Sequence, residues 1–161
     1  MAFAAPSIKG RALRLLSQRE HSRPELERKL ARYQEEPGSL ALALDDLAAK
    51  GFISEARVVA SVLHQSGGKL GPARVKQLLQ QKGIAPEAVA SAVAGLRDNE
   101  LENALALWRR RFDAPPTDAR AHTRQARFLM ARGFSGATVS RVLRLTGRAD
   151  MATASPTDES A

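Results

Sequence analysis

Apolar residues recur every three or four positions along most of the chain, which is the spacing of one face of an α-helix. On the seventh predicted helix this face consists of Leu101, Ala104, Leu105, Trp108 and Phe112. On the fourth it consists of Ala56, Val59, Ala60 and Leu63. Glycine and proline pairs at 67–68, 71–72 and 115–116 separate the periodic segments. The pattern predicts an all-α protein of nine amphipathic helices.

One six-residue phrase occurs three times: a leucine, two variable residues, a basic residue, a glycine and a large apolar residue. Its copies are residues 47–52 (LAAKGF), 79–84 (LQQKGI) and 129–134 (LMARGF). Each copy is typical of a helix C-terminus, where the glycine is left-handed, the basic side chain meets the negative end of the helix dipole, and the apolar residue packs back. Ser54, Pro86 and Ser135 then favour the start of another helix.

The repeated phrase divides the chain into sequence repeats. We predict three repeats of three helices, at residues 1–51, 52–97 and 98–147. Residues 148–161 lack periodicity, and we expect this tail to be disordered. A lone unit of about 45 residues buries little apolar surface, so each repeat is expected to pack on its neighbours. The predicted architecture is therefore an elongated, curved tandem array of three three-helix repeats.

The amino-acid composition excludes several classes of protein. The absence of cysteine excludes a disulfide framework and a thiolate metal site. His21, His64 and His122 are too far apart in sequence for a metal-ligand spacing, and we expect surface or capping roles for them. The chain shows neither a signal peptide nor an apolar run of the roughly 18 residues that a membrane span needs. We expect a soluble cytoplasmic protein that uses no metal or cofactor.

Catalytic motifs are also missing from the sequence. Residues 67–71 (GGKLG) have the composition of a phosphate-binding loop, but no predicted strand precedes them and no Gly-Lys-Ser/Thr follows. An interhelical linker explains them more simply. The sequence contains no Gly-x-Ser-x-Gly motif, and Asp45 and Asp46 belong to an exposed helix face. We predict that the protein is not an enzyme.

Positive charge is concentrated in the last third of the chain. The net charge is +8, and residues 104–148, with ten arginines and two aspartates, carry all of it. The run 109–111 spans about 200° of helix and should cover the solvent side opposite Trp108, which we expect to pack in the core. Because so few acids interleave the arginines, a negatively charged partner is favoured over a merely solvated face. The candidate partner-binding residues are Arg74, Lys76, Arg109, Arg110, Arg111, Arg120, Arg124, Arg127, Arg132, Arg141 and Arg144.

A stretch near the N-terminus resembles a known family. Residues 15–26 (LLSQREHSRPEL), with Lys29 and Leu30, resemble the opening signature of the RecX family, bacterial regulators of the RecA recombinase. Further matches lie at 51–57 (GFISEAR), 71–75 (GPARV), 83–84, 104–112, 127–134 (RFLMARGF) and 142–143. One departure is Val58, where the family commonly has an aromatic residue. The resemblance covers residues from about 10 to about 145.

Membership of this family implies more than the residues alone do. It implies tandem three-helix repeats, binding in the groove of RecA–DNA filaments, and inhibition of the ATPase, strand-exchange and coprotease activities of RecA. Some members also bind single- or double-stranded DNA, and we expect a monomer. Two other interpretations stay open: a sequence-nonspecific nucleic-acid-binding protein that acts without RecA, and a helical scaffold with an unknown acidic partner.

Overall fold

The computed structural model describes residues 3–153, and the regular elements in that part of the chain are all helical. The α-helices are α1 (Ile8–Gln18), α2 (Arg23–Leu30), α3 (Ser39–Ala49), α4 (Glu55–Ser66), α5 (Pro72–Gln81), α6 (Pro86–Asp98), α7 (Glu100–Arg111), α8 (Ala119–Ala131) and α9 (Gly136–Thr153). A 3₁₀ turn at Ala31–Tyr33 extends α2. The predicted all-α class and the nine helices are therefore confirmed for residues 3–153. None of these helices is long and apolar enough to cross a bilayer.

The repeated phrase ends α3, α5 and α8, as predicted. Its glycines are left-handed, with φ of 81° at Gly51, 71° at Gly83 and 91° at Gly133. In the second copy the Ile84 N–H donates to the Leu79 carbonyl at 3.1 Å, and the Gly83 N–H to the Gln80 carbonyl at 3.0 Å. The other two copies repeat this pattern. These bonds satisfy carbonyls that the helix end would otherwise leave unpaired.

The apolar residue that closes the phrase packs inward in two of the three copies. Phe134 is 3% exposed and Ile84 is 6% exposed, but Phe52 is 47% exposed. In the first copy the next residue, Ile53, contacts the core instead. The helix starts agree with prediction, since the hydroxyls of Ser54 and Ser135 accept backbone N–H groups of the turn that follows, each at 3.2 Å.

The chain divides into two compact units. The first unit contains the residues up to Gln65 together with Gln77–Ala90, and the second contains Ser66–Lys76 together with the residues from Ser91 onward. Helix α5 is therefore shared: its first half belongs to the second unit and its second half to the first. The three sequence repeats stay a prediction, because these units do not follow the repeat boundaries.

Each unit has its own apolar core. The core of the first unit consists of Ala12, Leu26, Leu30, Leu40, Leu44 and Leu47. The core of the second consists of Ala104, Leu107, Trp108, Leu129, Phe134, Val139, Val142 and Leu143. The predicted core position of Trp108 is confirmed, because it is 6% exposed and its indole N–H donates to the Gln125 side chain at 2.8 Å.

The predicted inner face of α4 was wrong. Ala56 and Ala60 are exposed, while Val58 and Val62 are 1% and 6% exposed. In a helix this rich in alanine and valine, two faces have similar patterns, and the face that buries more apolar area is the one that packs. The departure from the family pattern at Val58 thus lies at a core position.

The disordered tail predicted at 148–161 was wrong for residues 148–153, which continue α9 through Gly147. Gly147 is not left-handed. A glycine inside a helix costs only about 0.5–1 kcal/mol, which does not end a helix whose preceding turn buries Leu143 and Thr146. Residues 154–161 lie outside the described part of the chain.

Candidate partner-binding arginines

Helix α8 carries a row of three arginines on its outer side. Arg120, Arg124 and Arg127 are spaced at i, i+4 and i+7, and all three are exposed. The opposite side of the helix carries Gln125 and Leu129, which are 3% and 0% exposed. The buried side fixes the helix, so the row is presented to solvent; we call it the α8 row.

The arginines of α9 also lie opposite a buried face of their helix. Arg141 and Arg144 are exposed, and so is Arg148 one turn further on. They lie opposite Val139 and Val142, which belong to the core of the second unit. The arginines of α8 and α9 therefore lie on the sides of these helices that face away from their shared core.

The arginine run at the end of α7 is divided between two environments. All three arginines are exposed, but Arg111 does not point away from the core as predicted. Its guanidinium carbon lies 5.3 Å from the ring centre of Phe112 and 5.9 Å from that of Phe128. Arg111 follows Trp108 by three residues, which returns it to the same side of the helix. Arg109 and Arg110 remain on the outer side.

Arg132 is the one half-buried residue among the candidates. Its guanidinium carbon lies 5.1 Å from the ring centre of Phe128, the same ring that Arg111 approaches. Cation–π contacts of this kind contribute about 0.5–1 kcal/mol at exposed sites. Arg111 and Arg132 therefore stabilise the fold in addition to carrying charge.

The candidate arginines on α7, α8 and α9 pair with no carboxylate in the part of the chain that the structure describes. Within residues 3–153, none of the candidates between Arg109 and Arg144 takes part in an ion pair. Of the two aspartates in this segment, Asp118 caps α8 by accepting the Ala121 N–H at 2.7 Å. The positive charge of residues 104–148 is thus left without internal compensation.

Three basic residues on α5 and just after it are divided between the two units. Arg74 and Lys76 are exposed and lie in the second unit, where the Arg74 backbone contacts Gly133. The structure thereby brings Arg74 close to the end of α8. Lys82 lies in the first unit, where its ammonium group pairs with Glu25 at 3.1 Å. Lys82 therefore stabilises the first unit through this ion pair.

The N-terminal signature has a structural role that the sequence did not reveal. Ser22 and Glu25 form the capping box of α2, and the Ser22 hydroxyl donates to the Lys82 carbonyl at the end of α5. The Glu25 carboxylate also accepts hydrogen bonds from the Arg19 guanidinium at 2.8 Å and from the Lys82 ammonium group at 3.1 Å. We call this arrangement the α2 docking contact. It joins the start of α2 to the second copy of the repeated phrase.

Glu25 is ionised in this contact, although it is only 6% exposed. Burial of the carboxyl alone would raise its pKa. The hydrogen bonds from Arg19 and Lys82 and from the Ser22 amide outweigh burial and lower the pKa of Glu25 to about 2. The charge is therefore retained at neutral pH and holds its two cationic partners in place.

His21 is buried next to this network, which corrects the surface role expected for it. It is 1% exposed, and burial lowers its pKa. One ring nitrogen lies 3.0 Å from the Arg19 carbonyl and the other lies 3.2 Å from the Lys29 ammonium group. Since an ammonium group can only donate, the ring is neutral with Nε2 accepting from Lys29 and Nδ1 donating to Arg19. Within residues 3–153 no group of side chains could hold a metal ion.

A second docking contact in the other unit uses backbone instead of charge. The Gly71 N–H donates to the Arg132 carbonyl at 2.7 Å, and the Ala73 N–H donates to the Gly133 carbonyl at 3.1 Å. A Cβ atom on Gly133 would lie 2.4 Å from the Arg74 nitrogen. We call this the α5 docking contact. In both units the start of a helix thus contacts the basic residue and the glycine of the repeated phrase. The sequence had predicted only that these two residues end a helix.

Comparison with known proteins agrees with this architecture. A family model for the third three-helix domain of RecX matches residues 98–143. The chain is 54% identical over 139 residues to the regulatory protein RecX of Leptothrix cholodnii, covering 86% of this chain and 88% of that protein. It is 40% identical over 144 residues to the regulatory protein RecX of Herminiimonas arsenicoxydans, covering 89% and 95% of the two chains.

A solved structure shares the fold. The crystal structure of RecX from Lactobacillus salivarius superposes with a TM-score of 0.74 at 20% identity, covering 88% of this chain and 95% of that one. The two relatives above are 54% and 40% identical to this chain over most of their length. The similarity to RecX proteins is therefore one of sequence as well as of fold. The chain therefore belongs to the RecX family of regulatory proteins.

Proposed function

We propose that this protein binds RecA in the groove of RecA–DNA filaments and inhibits its ATPase, strand-exchange and coprotease activities, and so modulates recombination and DNA repair. Membership of a family of regulatory proteins named RecX supports the choice of partner. The observation that carries the proposal is the set of arginines in residues 109–144 that have no acidic partner within the described chain.

The geometry of these arginines fits a groove better than a flat surface. Apart from Arg111 and Arg132, they point outward from three helices, so a protein or DNA wall beside the second unit would meet guanidinium groups. A guanidinium group binds carboxylates and phosphates equally well, often through two parallel hydrogen bonds. Contacts to neighbouring RecA subunits would hinder the subunit movements that accompany ATP turnover, which accounts for inhibition without any catalytic residue.

The same unpaired arginines also favour a second candidate, a sequence-nonspecific nucleic-acid-binding protein that acts without RecA. In that case neutralisation of phosphates supplies the affinity, and binding to bare DNA weakens with salt by about one logarithmic unit of slope per phosphate contact. Both candidate functions use the same arginines. They differ in whether RecA raises the affinity of the protein for DNA.

One titration separates the two candidates. The protein is added to labelled single-stranded DNA, alone or coated with RecA in the presence of ATP, at one salt concentration. The proposed function predicts much tighter binding to the coated DNA, and a falling rate of ATP hydrolysis by preformed filaments as the protein saturates them. Equal affinity for bare and coated DNA, or an unchanged hydrolysis rate at saturation, would contradict it.

A further inference from the structure

The first unit contains a basic cavity that the charge distribution along the chain does not reveal. It lies between α1 and the region where α2 meets the 3₁₀ turn, with a volume of about 320 Å³. The basic residues that line it are Arg11, Arg14, Lys29 and Arg32, and none of the described residues that line it is acidic. Leu15 and Leu30 give it an apolar wall.

Two of the four cationic groups are held in place by one ring. The guanidinium carbons of Arg11 and Arg32 lie 3.9 Å and 4.8 Å from the ring centre of Tyr33. Arg11 also donates to the Pro6 carbonyl at 3.2 Å, and Arg32 donates to the Tyr33 hydroxyl at 2.7 Å. These contacts position two like charges beside the same ring, which costs repulsion that a bound anion would relieve.

The other two cations have no acidic partner either. Lys29 donates to the neutral ring of His21 at 3.2 Å, so its charge is not compensated there. Arg14 is exposed at the mouth of the cavity and takes part in none of the ion pairs within residues 3–153. A neighbouring cavity lined by Glu35 and Glu36 shares Arg11 and Arg32 but not Arg14 or Lys29.

We propose that this cavity binds the phosphate of a nucleotide, either free or within a single strand of DNA. Arg14 and Lys29, with Arg11 and Arg32, supply donors without any acceptor, which suits a phosphate group. The apolar wall of Leu15 and Leu30 receives the sugar or the base. The volume lies at the lower end of the roughly 300–1,000 Å³ of ligand cavities, which fits one nucleotide.

The size of the cavity argues against an acidic peptide as its ligand, because the cations converge on one compact space instead of following a groove. The proposed binding involves neither RecA nor the arginines of residues 109–144. Its test therefore uses the full chain without RecA, and its outcome is distinguishable from the outcome for the proposed function.

The test follows amide and arginine side-chain resonances of the labelled full chain by nuclear magnetic resonance. Five probes are titrated separately: deoxythymidine monophosphate, thymidine, inorganic phosphate, a short thymidine oligonucleotide and a short glutamate peptide. We expect shifts on α1 and around Tyr33 with the monophosphate or the oligonucleotide, and none with thymidine. The tighter of these two ligands identifies the source, free nucleotide or strand.

Arg14→Glu is the test variant, since Arg14 is exposed and can be changed without loss of packing. It should weaken nucleotide binding by at least about tenfold, the loss of one charge-assisted hydrogen bond. The matched control is Arg97→Glu, an exposed reversal on α6 outside the cavity, which should leave binding unchanged.

Three outcomes would overturn the proposal. The first is binding of inorganic phosphate as tight as that of the monophosphate, because the apolar wall would then contribute nothing. The second is nucleotide binding that Arg14→Glu and Arg97→Glu weaken equally. The third is binding of the glutamate peptide in preference to every nucleotide probe.

Discussion

The two units differ in how many of their basic residues pair with carboxylates. In the first unit, Lys9, Arg19, Arg23, Arg57 and Lys82 are all tied to carboxylates. In the second unit the arginines of α7, α8 and α9 meet aromatic rings or solvent, but no carboxylate within the described chain. The number of basic residues therefore does not identify a binding region; the absence of counter-charges does.

The units also differ in how a helix start docks on the repeated phrase. Both contacts need a glycine without a side chain, since a Cβ atom on Gly83 would lie 2.7 Å from Pro24 and one on Gly133 would lie 2.4 Å from Arg74. The α2 docking contact also contains a buried carboxylate with two cationic partners, which the α5 docking contact lacks. Both contacts should be sensitive to the size of a side chain, but the first should also be sensitive to charge and pH. The experiments below test this difference.

The largest effect on stability is expected at Gly133. In Gly133→Ala the new Cβ would lie 2.4 Å from the Arg74 nitrogen, at a φ of 91° that alanine rarely adopts. The free energy of unfolding should fall by about 3 kcal/mol or more, because strain and a lost backbone contact combine. Thermal and urea denaturation measure the change.

Gly147→Ala is the control for that substitution. Gly147 lies inside α9 with no atom near the added Cβ, so alanine should raise the free energy of unfolding, by up to about 1 kcal/mol. If Gly133→Ala were as stable as the unmodified protein, the close approach in the α5 docking contact would not be what holds that part of the second unit.

The next largest effect is expected from Glu25→Gln, which leaves Arg19 and Lys82 without their shared carboxylate. We expect a loss of about 2 kcal/mol, less than for a fully buried pair because both cations are partly exposed. The matched control, Glu27→Gln, removes an exposed i,i+4 pair with Arg23 and should cost less than about 0.5 kcal/mol. Equal losses in the two variants would refute a special role for Glu25.

Acid should destabilise the first unit in two steps. The pKa of His21 is lowered by burial, so the unfolded chain takes up this proton first and stability is lost as pH falls below the ordinary value of 6.5. The pKa of Glu25 is lowered to about 2 from 4.5, so its contribution is present above pH 4.5 and is lost as pH falls toward 2. Denaturation midpoints against pH should show both steps.

Variants assign each step to its residue. Glu25→Gln should shrink the lower step and leave the upper one. The rest of the lower step belongs to Asp46, whose pKa is lowered by hydrogen bonds from Lys9 and Lys50. His21→Gln should remove the upper step and leave the lower one. A pH profile of unfolding that neither variant alters would show that other groups govern the acid response of this unit.

The smallest effect separates the arginines that stabilise the fold from those that do not. Arg111→Ala removes contacts with Phe112 and Phe128 and should cost about 0.5–1 kcal/mol. Arg124→Ala removes only an exposed side chain of the α8 row and should leave the melting temperature unchanged. A comparable loss in both variants would mean that the α8 row also supports folding.

Much of the fold could be predicted because its signals are local. Helix ends at the three glycines follow from backbone geometry, and the core position of Trp108 follows from its spacing to Ala104. The end of α9 could not be predicted, since glycine also occurs inside helices when the packing of the preceding turn, here Leu143 and Thr146, outweighs its cost. The inner face of α4 failed for a related reason, because alanine and valine give an ambiguous pattern.

The exposed arginines of the candidate site could be predicted from the sequence, but the ion pairs could not. The exposure of the α8 row follows from helical spacing, but the pairing of charges does not, because Lys82 and Glu25 are 57 residues apart. The basic cavity was missed for the same reason: Arg11 and Arg14 lie on α1, whereas Lys29 and Arg32 lie on α2 and the 3₁₀ turn, and folding brings them together. Only the fold shows which charges meet.

The central claim is that the unpaired arginines of the second unit bind the partner, while the paired basic residues of the first unit serve the fold. The most direct test is the affinity of the triple variant Arg120→Glu, Arg124→Glu, Arg127→Glu for RecA-coated single-stranded DNA. The control is the triple variant Arg28→Glu, Lys50→Glu, Arg97→Glu, which reverses exposed charges outside residues 104–148. We predict a loss of at least about hundredfold for the first variant, with its melting temperature unchanged, and little loss for the control. Equal losses in both, or full affinity without the α8 row, would contradict the account.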